Sequence, residues 1–413
     1  MPTTDRRTFL KHATRALGTL ALVPDLSLAA PRFARGAKLD VALIGAGRQG
    51  RAILGELAKL EPASIVAVSD IVESRLSSGL RRVQGAEGFA DYREMLERKK
   101  PAAVFVATPS HLHVEPCLAA LAAGAHVYCE GPLATTVADC QAIAQAARTA
   151  GRKFQTGMQG RSNPIYQLAR GFLRSGAIRD VVSLRAQFHK KTSWRMTASD
   201  PADEAALNWR LDPAVSTGLL GEQGTHQFDV VHWFLDAYPT SVRGAASIQL
   251  HADGRTLADT VACELLFPGE RRLRYEATLA NSFDGTYELF HGTMGAIKLA
   301  WTAGWLFKEA DAPTQGWEVY ANRQQFANEQ GITLIADATQ LAAQGRLKEG
   351  VGLPEPPLYY AIADFLAAVL EDRPVPCPAE EGKRAAVVGI LAEQAVRTGE
   401  TIPLDPALFL ANE

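Results

Sequence analysis

From Leu39 onward, short apolar runs alternate with stretches whose apolar residues recur at helical spacing. The run "LDVALIGAG" has strand length and ends in glycines, and in the following "RQGRAILGELAKL" Ile53, Leu54, Leu57 and Leu60 share one helical face. Four further apolar runs, "SIVAVSD", "AAVFVATP", "AHVYCEGP" and "KFQTGMQ", read as strands; the third and fourth strands of the five are followed by the helical "HLHVEPCLAALAAG" and "ADCQAIAQAARTAG". Strand and helix alternating from residue 39 to about 159 predict an α/β unit, a doubly wound parallel sheet covered by helices on both faces.

Past Gln159 the pattern changes. "PIYQLARGFLRSGAI" is one more amphipathic helix, after which "VVSLRAQFH", "VRGAASIQLHA", "TVACELLFP", "RRLRYEATLA", "GTYELFHGT" and "GAIKLAW" alternate with period two. Hairpin-like spacing of such runs predicts a large, mostly antiparallel sheet with helices on one face. Residues 308–355 carry no clear pattern, and two long amphipathic helices, "YYAIADFLAAVLEDR" and "EEGKRAAVVGILAEQAVRTG", close the chain. The expected organisation is a leader over 1–35, a first domain over 36–157, a second α/β domain over 158–356 and terminal helices over 357–413.

Composition narrows the function classes. The chain is 47% hydrophobic and 21% charged with a formal charge of −2, as expected of a folded globular protein. No long basic run lies outside the N-terminus, so nucleic-acid binding lacks the concentrated Lys/Arg surface that phosphates require. No apolar stretch in the body reaches the roughly 18–20 residues of a membrane span. The N-terminus "DRRTFLKHATRALGTLALVPDLSLAA" pairs Arg6 with Arg7 and continues through a short apolar stretch to small residues. It resembles a twin-arginine export signal, which implies the twin-arginine machinery as a partner, processing near Ala29 or Ala30 and an extracytoplasmic, periplasmic location. The five cysteines (Cys117, Cys129, Cys140, Cys263, Cys377) form no C-x-x-C pair and read as small core residues rather than a disulfide framework or zinc site.

The clearest chemistry lies at Gly45-Ala-Gly47-Arg48-Gln49-Gly50. Glycines in this order, closing a strand and opening a helix, are the dinucleotide fingerprint: Gly45 for the tight turn, Gly47 for close approach of a pyrophosphate, Gly50 for helix–strand packing. The helix N-terminus would hold the diphosphate. Asp70, about 20 residues past Gly50 at the end of the next strand, would accept the ribose hydroxyls and favour NAD, while Arg48 leaves NADP open. Thr108, Pro109 and Ser110 end the third strand, on the nicotinamide side of such a crevice. His111 and His113 make an H-x-H pair, a weak metal signal, and no metal is expected.

These residues, with "ATPSHLHVEP", "YCEGPLA", "GMQGRSNPIY", "GEQGTHQFDVVHWFL" and "IADFLAAVLEDRP", make the chain similar to the Gfo/Idh/MocA oxidoreductases. The resemblance implies an N-terminal Rossmann domain, a second domain with an open sheet used for homo-oligomerisation, terminal helices that return to the first domain, and NAD(P)-dependent oxidation or reduction of a sugar or cyclitol hydroxyl. In that family the motif after the fourth strand reads Glu-Lys-Pro, with the lysine assisting proton transfer. Here it reads Glu130-Gly131-Pro132, so Glu130 and Pro132 can shape the cofactor site but the lysine is missing. Lys190 or Lys191 could in principle replace it from the sheet side, but both read better as a solvated sheet edge. The resemblance further implies Glu222 and His226 as the catalytic acid–base pair, one helical turn apart if the helix is regular, with Glu222 orienting His226 or holding a substrate hydroxyl, and Arg161 as a substrate contact. Two alternatives stay open: a redox-cycling, NAD-dependent glycoside hydrolase with a tightly held cofactor, and a non-catalytic binding module.

Overall fold

The computed structural model describes residues 36, 38–198, 203–315, 318, 321–335 and 352–410; the expected leader therefore lies outside the described residues, as do 316–317, 319–320 and 336–351 of the unpatterned stretch. The first domain is a six-stranded, all-parallel sheet of β1 (Leu39–Ile44), β2 (Ala63–Ser69), β3 (Glu87–Phe89), β4 (Ala103–Val106), β5 (His126–Glu130) and β6 (Phe154–Gly157), in the order β3-β2-β1-β4-β5-β6. Helices α1 (Arg48–Leu57), α2 (Glu73–Leu80), α3 (Tyr92–Lys99), α4 (Val114–Ala122) and α5 (Val137–Thr149) supply the crossovers. One strand more than the apolar pattern indicates is present. β3 has only three residues at the sheet edge, too few for a periodic signal. The chain winds outward from β1 to β3 and then crosses to β4, so the loop after β1 opens at the topological switch point, where open α/β sheets bind ligands.

In the second domain, β7 (Val181–His189), β8 (Ser241–Ser247), β9 (Thr260–Phe267), β10 (Arg271–Thr278), β11 (Thr286–Gly292), β12 (Gly295–Leu299), β13 (Gly304–Lys308), β14 (Arg323–Gln325), β15 (Gln330–Thr333) and β16 (Ile402–Pro403) form one ten-stranded sheet. Only β7 and β10 run parallel within it. Its inner face, with Leu184, Leu273, Tyr275 and Phe290, packs on α6 (Pro164–Arg174), on α8 (Thr225–Leu235), which follows the one-turn α7 (Glu204–Leu207), and on the last long helix. α6 starts where Asn163 accepts hydrogen bonds from the Ile165 and Tyr166 N–H groups and Pro164 takes the first turn. The outer face leaves Val182, Arg185, Arg272 and Arg274 exposed.

The terminal elements join the two domains. α9 (Pro357–Leu370) places Leu358, Ile362, Phe365 and Leu366 in the first domain's core. α10 (Ala379–Thr398) gives Ala386 to the first domain and Val387, Val388, Ala392 and Val396 to the second. β16 then pairs with β8, so the chain's end belongs to the second sheet as well as to the first domain.

Glu288 on β11 is fully buried, accepting from Tyr166 Oη at 2.6 Å and from Gln227 Nε2 at 2.9 Å. Burial raises its pKa to about 7 against those two hydrogen bonds. A carboxyl raised in the folded state contributes stability below its unfolded value near 4.5 and loses it as pH rises toward 7. Glu288→Gln, whose amide can donate to the Tyr166 oxygen, is therefore expected to leave stability nearly unchanged at pH 4 and to raise it by ~2 kcal/mol at pH 8, as read from urea unfolding.

Candidate functional site

The loop after β1 is shaped as the glycine spacing requires. Gly45 has φ +93°, and a Cβ there would lie 2.7 Å from the Ala107 carbonyl. A Cβ on Gly50 would lie 1.8 Å from the Gly45 oxygen, whereas none of the surrounding atoms comes within 4 Å of one on Gly47. α1 thus begins under open space, and its N-terminus has no side-chain cap. Uncapped N–H groups facing a free volume form a diphosphate cradle. Gly50→Ala is expected to weaken NAD binding about ten-fold or more by forcing the turn open, measured by calorimetric titration.

Asp70 does more than await a ribose. Its Oδ2 accepts from Ala46 N at 2.7 Å and its Oδ1 from Val72 N at 2.8 Å, so the carboxylate ties the glycine loop to the end of β2. Each oxygen keeps a further lone pair for a hydroxyl donor. Gln49 donates to Glu130 Oε1 at 3.1 Å, and this links the same loop to the end of β5. Burial pushes the Glu130 carboxyl up to about 7, opposed by the Gln49 hydrogen bond. Arg48 points outward and is exposed. The resulting cleft holds about 730 Å³; Gly47, Asp70, Thr108, Pro109 and His111 line it, and Trp209 and Asp212 of the second domain close its far side.

His113 bridges the β4 and β5 loops, with Nε2 3.0 Å from the Thr108 carbonyl and Nδ1 3.1 Å from that of Leu133. Burial lowers its pKa to about 4, so the neutral ring donates to one of the two. It is a strut between loops. His111 faces the cleft with its ring centroid 5.5 Å from that of Trp209.

Glu222 and His226 both reach the domain junction, though not through a regular helix. Leu220–Gly224 form a π-helical turn that passes into α8 at Thr225, so the two residues straddle a π-to-α transition. Their partners differ accordingly. Glu222, 3% exposed, accepts from Ser110 Oγ at 3.0 Å and from Arg210 Nε at 3.1 Å, and does not hydrogen-bond His226. The expectation that Glu222 orients His226 is corrected here: the wider turn directs its two oxygens to Ser110 and Arg210. Burial raises its pKa, against Arg210 and Ser110. His226 lies against Gly131, and its buried Nδ1 has no partner. Burial lowers its pKa, opposed by Asp229 and the Gly131 carbonyl. Pro132 follows Gly131 through a cis peptide bond and is buried.

Arg161 is likewise corrected. It is 5% exposed; Nε and Nη2 clasp both oxygens of Asp229, at 2.7–3.1 Å, and Nη2 also donates to Glu381 Oε2 at 2.7 Å. His232 closes the group, 3.3 Å from the same Glu381 oxygen. Arg161 is therefore an internal anchor joining α8 to α10 behind His226. Lys190 and Lys191 are exposed at the end of β7, where their backbone N–H groups bond Thr278 and Ser282. Arg210 went unnoticed in the sequence: it stacks on Trp209, 4.4 Å from the ring centre, while holding Glu222. No periodicity or motif marks it, because it acts from a short irregular segment.

The fold, the glycine cradle and the Glu222–His226 junction can be set beside known proteins. Residues 39–158 match the profile described as an oxidoreductase family, NAD-binding Rossmann fold, and residues 173–404 match that family's C-terminal alpha/beta domain. The chain belongs to the Gfo/Idh/MocA oxidoreductase family. Levoglucosan dehydrogenase of Pseudarthrobacter phenanthrenivorans is 27% identical over 48% of this chain and 52% of its own length. Inositol 2-dehydrogenase of Acidothermus cellulolyticus is 31% identical over 53% of this chain and 60% of its own. The chain thus spans little more than half the length of these curated relatives. A solved levoglucosan dehydrogenase in complex with NADH and levoglucosan shares the fold at TM-score 0.71 and 21% identity, over 89% of this chain and 99% of that one. Family membership makes the Rossmann domain NAD-binding and fits the cradle, the Asp70 position and the open space above Gly47.

Proposed function

We propose that the protein is an NAD-dependent oxidoreductase that transfers hydride from a sugar or cyclitol hydroxyl-bearing carbon. The observation that carries this reading is His226 lodged beside the Gly131–Pro132 loop at the end of β5, on the same side of the sheet as the glycine cradle after β1. Bound NAD⁺ would supply the hydride acceptor. Hydride leaves a carbinol carbon only as the hydroxyl loses its proton, so a base must stand within hydrogen-bond reach. Burial lowers the His226 pKa, so near pH 7 the ring is the neutral imidazole, the form that can take up a proton. Glu222, pinned by Ser110 and Arg210, offers its remaining lone pairs to a substrate hydroxyl. The test is purified protein with NAD⁺ and a panel of cyclitols, aldoses and anhydrosugars, followed by NADH absorbance. NADH formation with at least one of them is expected; none with any, despite measurable NAD binding, refutes the reading.

The same reading places the enzyme outside the cytoplasm, exported by the twin-arginine machinery on the basis of Arg6 and Arg7. All five cysteines are buried and unpaired, which suits a chain that folds before export. Changing Arg6 and Arg7 to Lys is expected to keep the protein in the cytoplasmic fraction on cell fractionation. We further propose that the chain self-associates through the face of the ten-stranded sheet that the described helices leave open; sedimentation of the purified protein at a monomer's mass would refute this.

A further inference from the structure

Two buried carboxylates at the domain junction are held by arginines in different ways. Arg161 clasps Asp229 side-on, through Nε and Nη2 to both oxygens, and is 5% exposed. That arginine is spent inside the protein. Arg210 reaches Glu222 through Nε alone, at 3.1 Å, because the other Glu222 oxygen accepts from Ser110 Oγ. Its side chain is 40% exposed, against 2% for that of Glu222. Among the described residues, Nη1 and Nη2 of Arg210 meet no acceptor. All but one of its guanidinium N–H groups are therefore unspent.

The free end is also held in place. The guanidinium lies 4.4 Å from the Trp209 ring centre and 5.9 Å from that of Trp194. Asn208 fixes the turn that carries Trp209 and Arg210 by bonding the Met196 backbone, accepting from its N–H at 2.7 Å and donating to its carbonyl at 3.0 Å. Trp194 has φ +61°, a left-handed conformation that a bulky residue adopts only where its surroundings impose it. Those surroundings are present: Thr192 N–H donates to the Leu279 carbonyl at 3.1 Å on one side, and the Met196–Asn208 bonds lie on the other. The strained turn leaves a second aromatic ring beside Arg210. An arginine ordered before its ligand arrives loses less entropy on binding.

Arg210 stands next to Trp209 and Asp212, which wall the 730 Å³ cleft, and Glu222 ties it to Ser110 just past β4. Two Nη groups side by side match a carboxylate, a phosphate or a pair of neighbouring hydroxyls. Charge decides among them. Glu222 balances the guanidinium from behind, and Asp212 adds a second acid to the same wall, so an anion would meet net negative charge. Neutral hydroxyls accept from the same fork without that cost.

We propose that Arg210 is a substrate-binding residue whose two free Nη groups each donate to one of two adjacent hydroxyls, so that the site selects neutral vicinal diols over lone alcohols and over sugar acids. This names the substrate class of the oxidoreductase reading above; it rests on that reading for the reaction, though not for the binding.

Calorimetric titration of the NADH-loaded protein reads binding without turnover. The probes are the neutral cyclitols, aldoses and anhydrosugars of the activity panel, the monodeoxy analogues of the tightest binder, and D-glucuronate and D-galacturonate. Removing either of two adjacent hydroxyls is expected to weaken binding about ten-fold or more. In Arg210→Met both losses are expected to shrink below about three-fold, and in Arg210→Lys, which keeps a cation facing Glu222 without the fork, at least one of them. An arginine that only supports the fold would lower the affinity for parent and analogues alike, so unchanged losses in both variants overturn the proposal. Tighter binding of a uronate than of every neutral probe overturns it as well, as does a wild type that binds no neutral probe. NAD affinity is expected to stay within about three-fold in each variant; a fall beyond ten-fold would make Arg210 a cofactor phosphate contact and overturn the assignment. Thermal unfolding identifies folded variants, and should Arg210→Met not fold, Arg210→Lys decides. Diol-selective, Arg210-dependent binding with no NADH formed from any probe would leave this assignment standing and refute the oxidoreductase reading.

Discussion

His226→Ala is expected to lower kcat by ~10²–10⁴-fold while leaving NAD affinity within about three-fold of wild type. The expected size is that of a positioned base removed: the hydroxyl proton must then pass to water, since Glu222 already accepts from Ser110 and Arg210 and Asp229 is clasped by Arg161. Cofactor binding should survive because its determinants lie elsewhere, in the Gly45–Gly50 turn, the α1 N-terminus and Asp70. Thermal unfolding of the same variant shows whether the fold survives, since the ring's Nδ1 makes no hydrogen bond while its carbon edge packs on Gly131. Steady-state kinetics and calorimetric NAD titration on the same preparation check both halves. A variant that keeps its kcat removes His226 from the chemistry.

Arg161→Ala is expected to have the largest effect on stability, a loss of about 3–5 kcal/mol, seen as a fall in the unfolding midpoint of roughly 10 °C. Removing the guanidinium leaves Asp229, 1% exposed, with its charge buried and unpaired, and removes one of the groups that pair with Glu381, leaving Arg384 and His232. Burial alone would raise the Glu381 pKa, but His232 and Arg161 hold it well below the ordinary carboxylate value. A carboxyl depressed in the folded state contributes stability above its unfolded pKa and loses it as pH falls through the folded value. The gap between wild type and Arg161→Ala is therefore expected to be full at pH 7 and to narrow below pH ~4. Because Asp229 lies one turn after His226 on α8 and also raises the imidazole pKa, the variant should lose activity along with stability. Chemical unfolding across pH separates this anchoring role from a substrate contact, which would alter KM without moving the midpoint.

Both effects converge on α8, a helix whose pattern in the sequence is plain while its start is not. The apolar spacing of "FDVVHWFL" marks the helix, but the π-helical turn at Leu220–Gly224 depends on packing around Gly221 and Gly224, where a Cβ would meet Thr217 at 2.0 Å and Phe228 at 2.9 Å. Nothing local announces that turn, and with it goes the direction of Glu222. The gain and loss at Arg161 have the same origin. An arginine in an irregular stretch reads as a ligand or surface group until the acids of α8 and α10, distant in sequence, are seen on either side of it.

The sequence by itself determined the parallel sheet, the dinucleotide turn, the alternating strands of the second domain and the family to which the chain belongs. These are carried by short-range patterns: apolar runs, glycines whose backbone freedom is needed within six residues, and strand alternation of period two. Only the tertiary structure decided which charged groups meet, where the short edge strand β3 lies, how the last helix divides between two cores, and which side chains lie against Gly131. Each of those depends on contacts between residues far apart in the chain, such as Gly131 with His226 and Arg161 with Glu381. Local propensity holds no information about them, because the volume that one side chain may fill is set by whichever distant element folds against it.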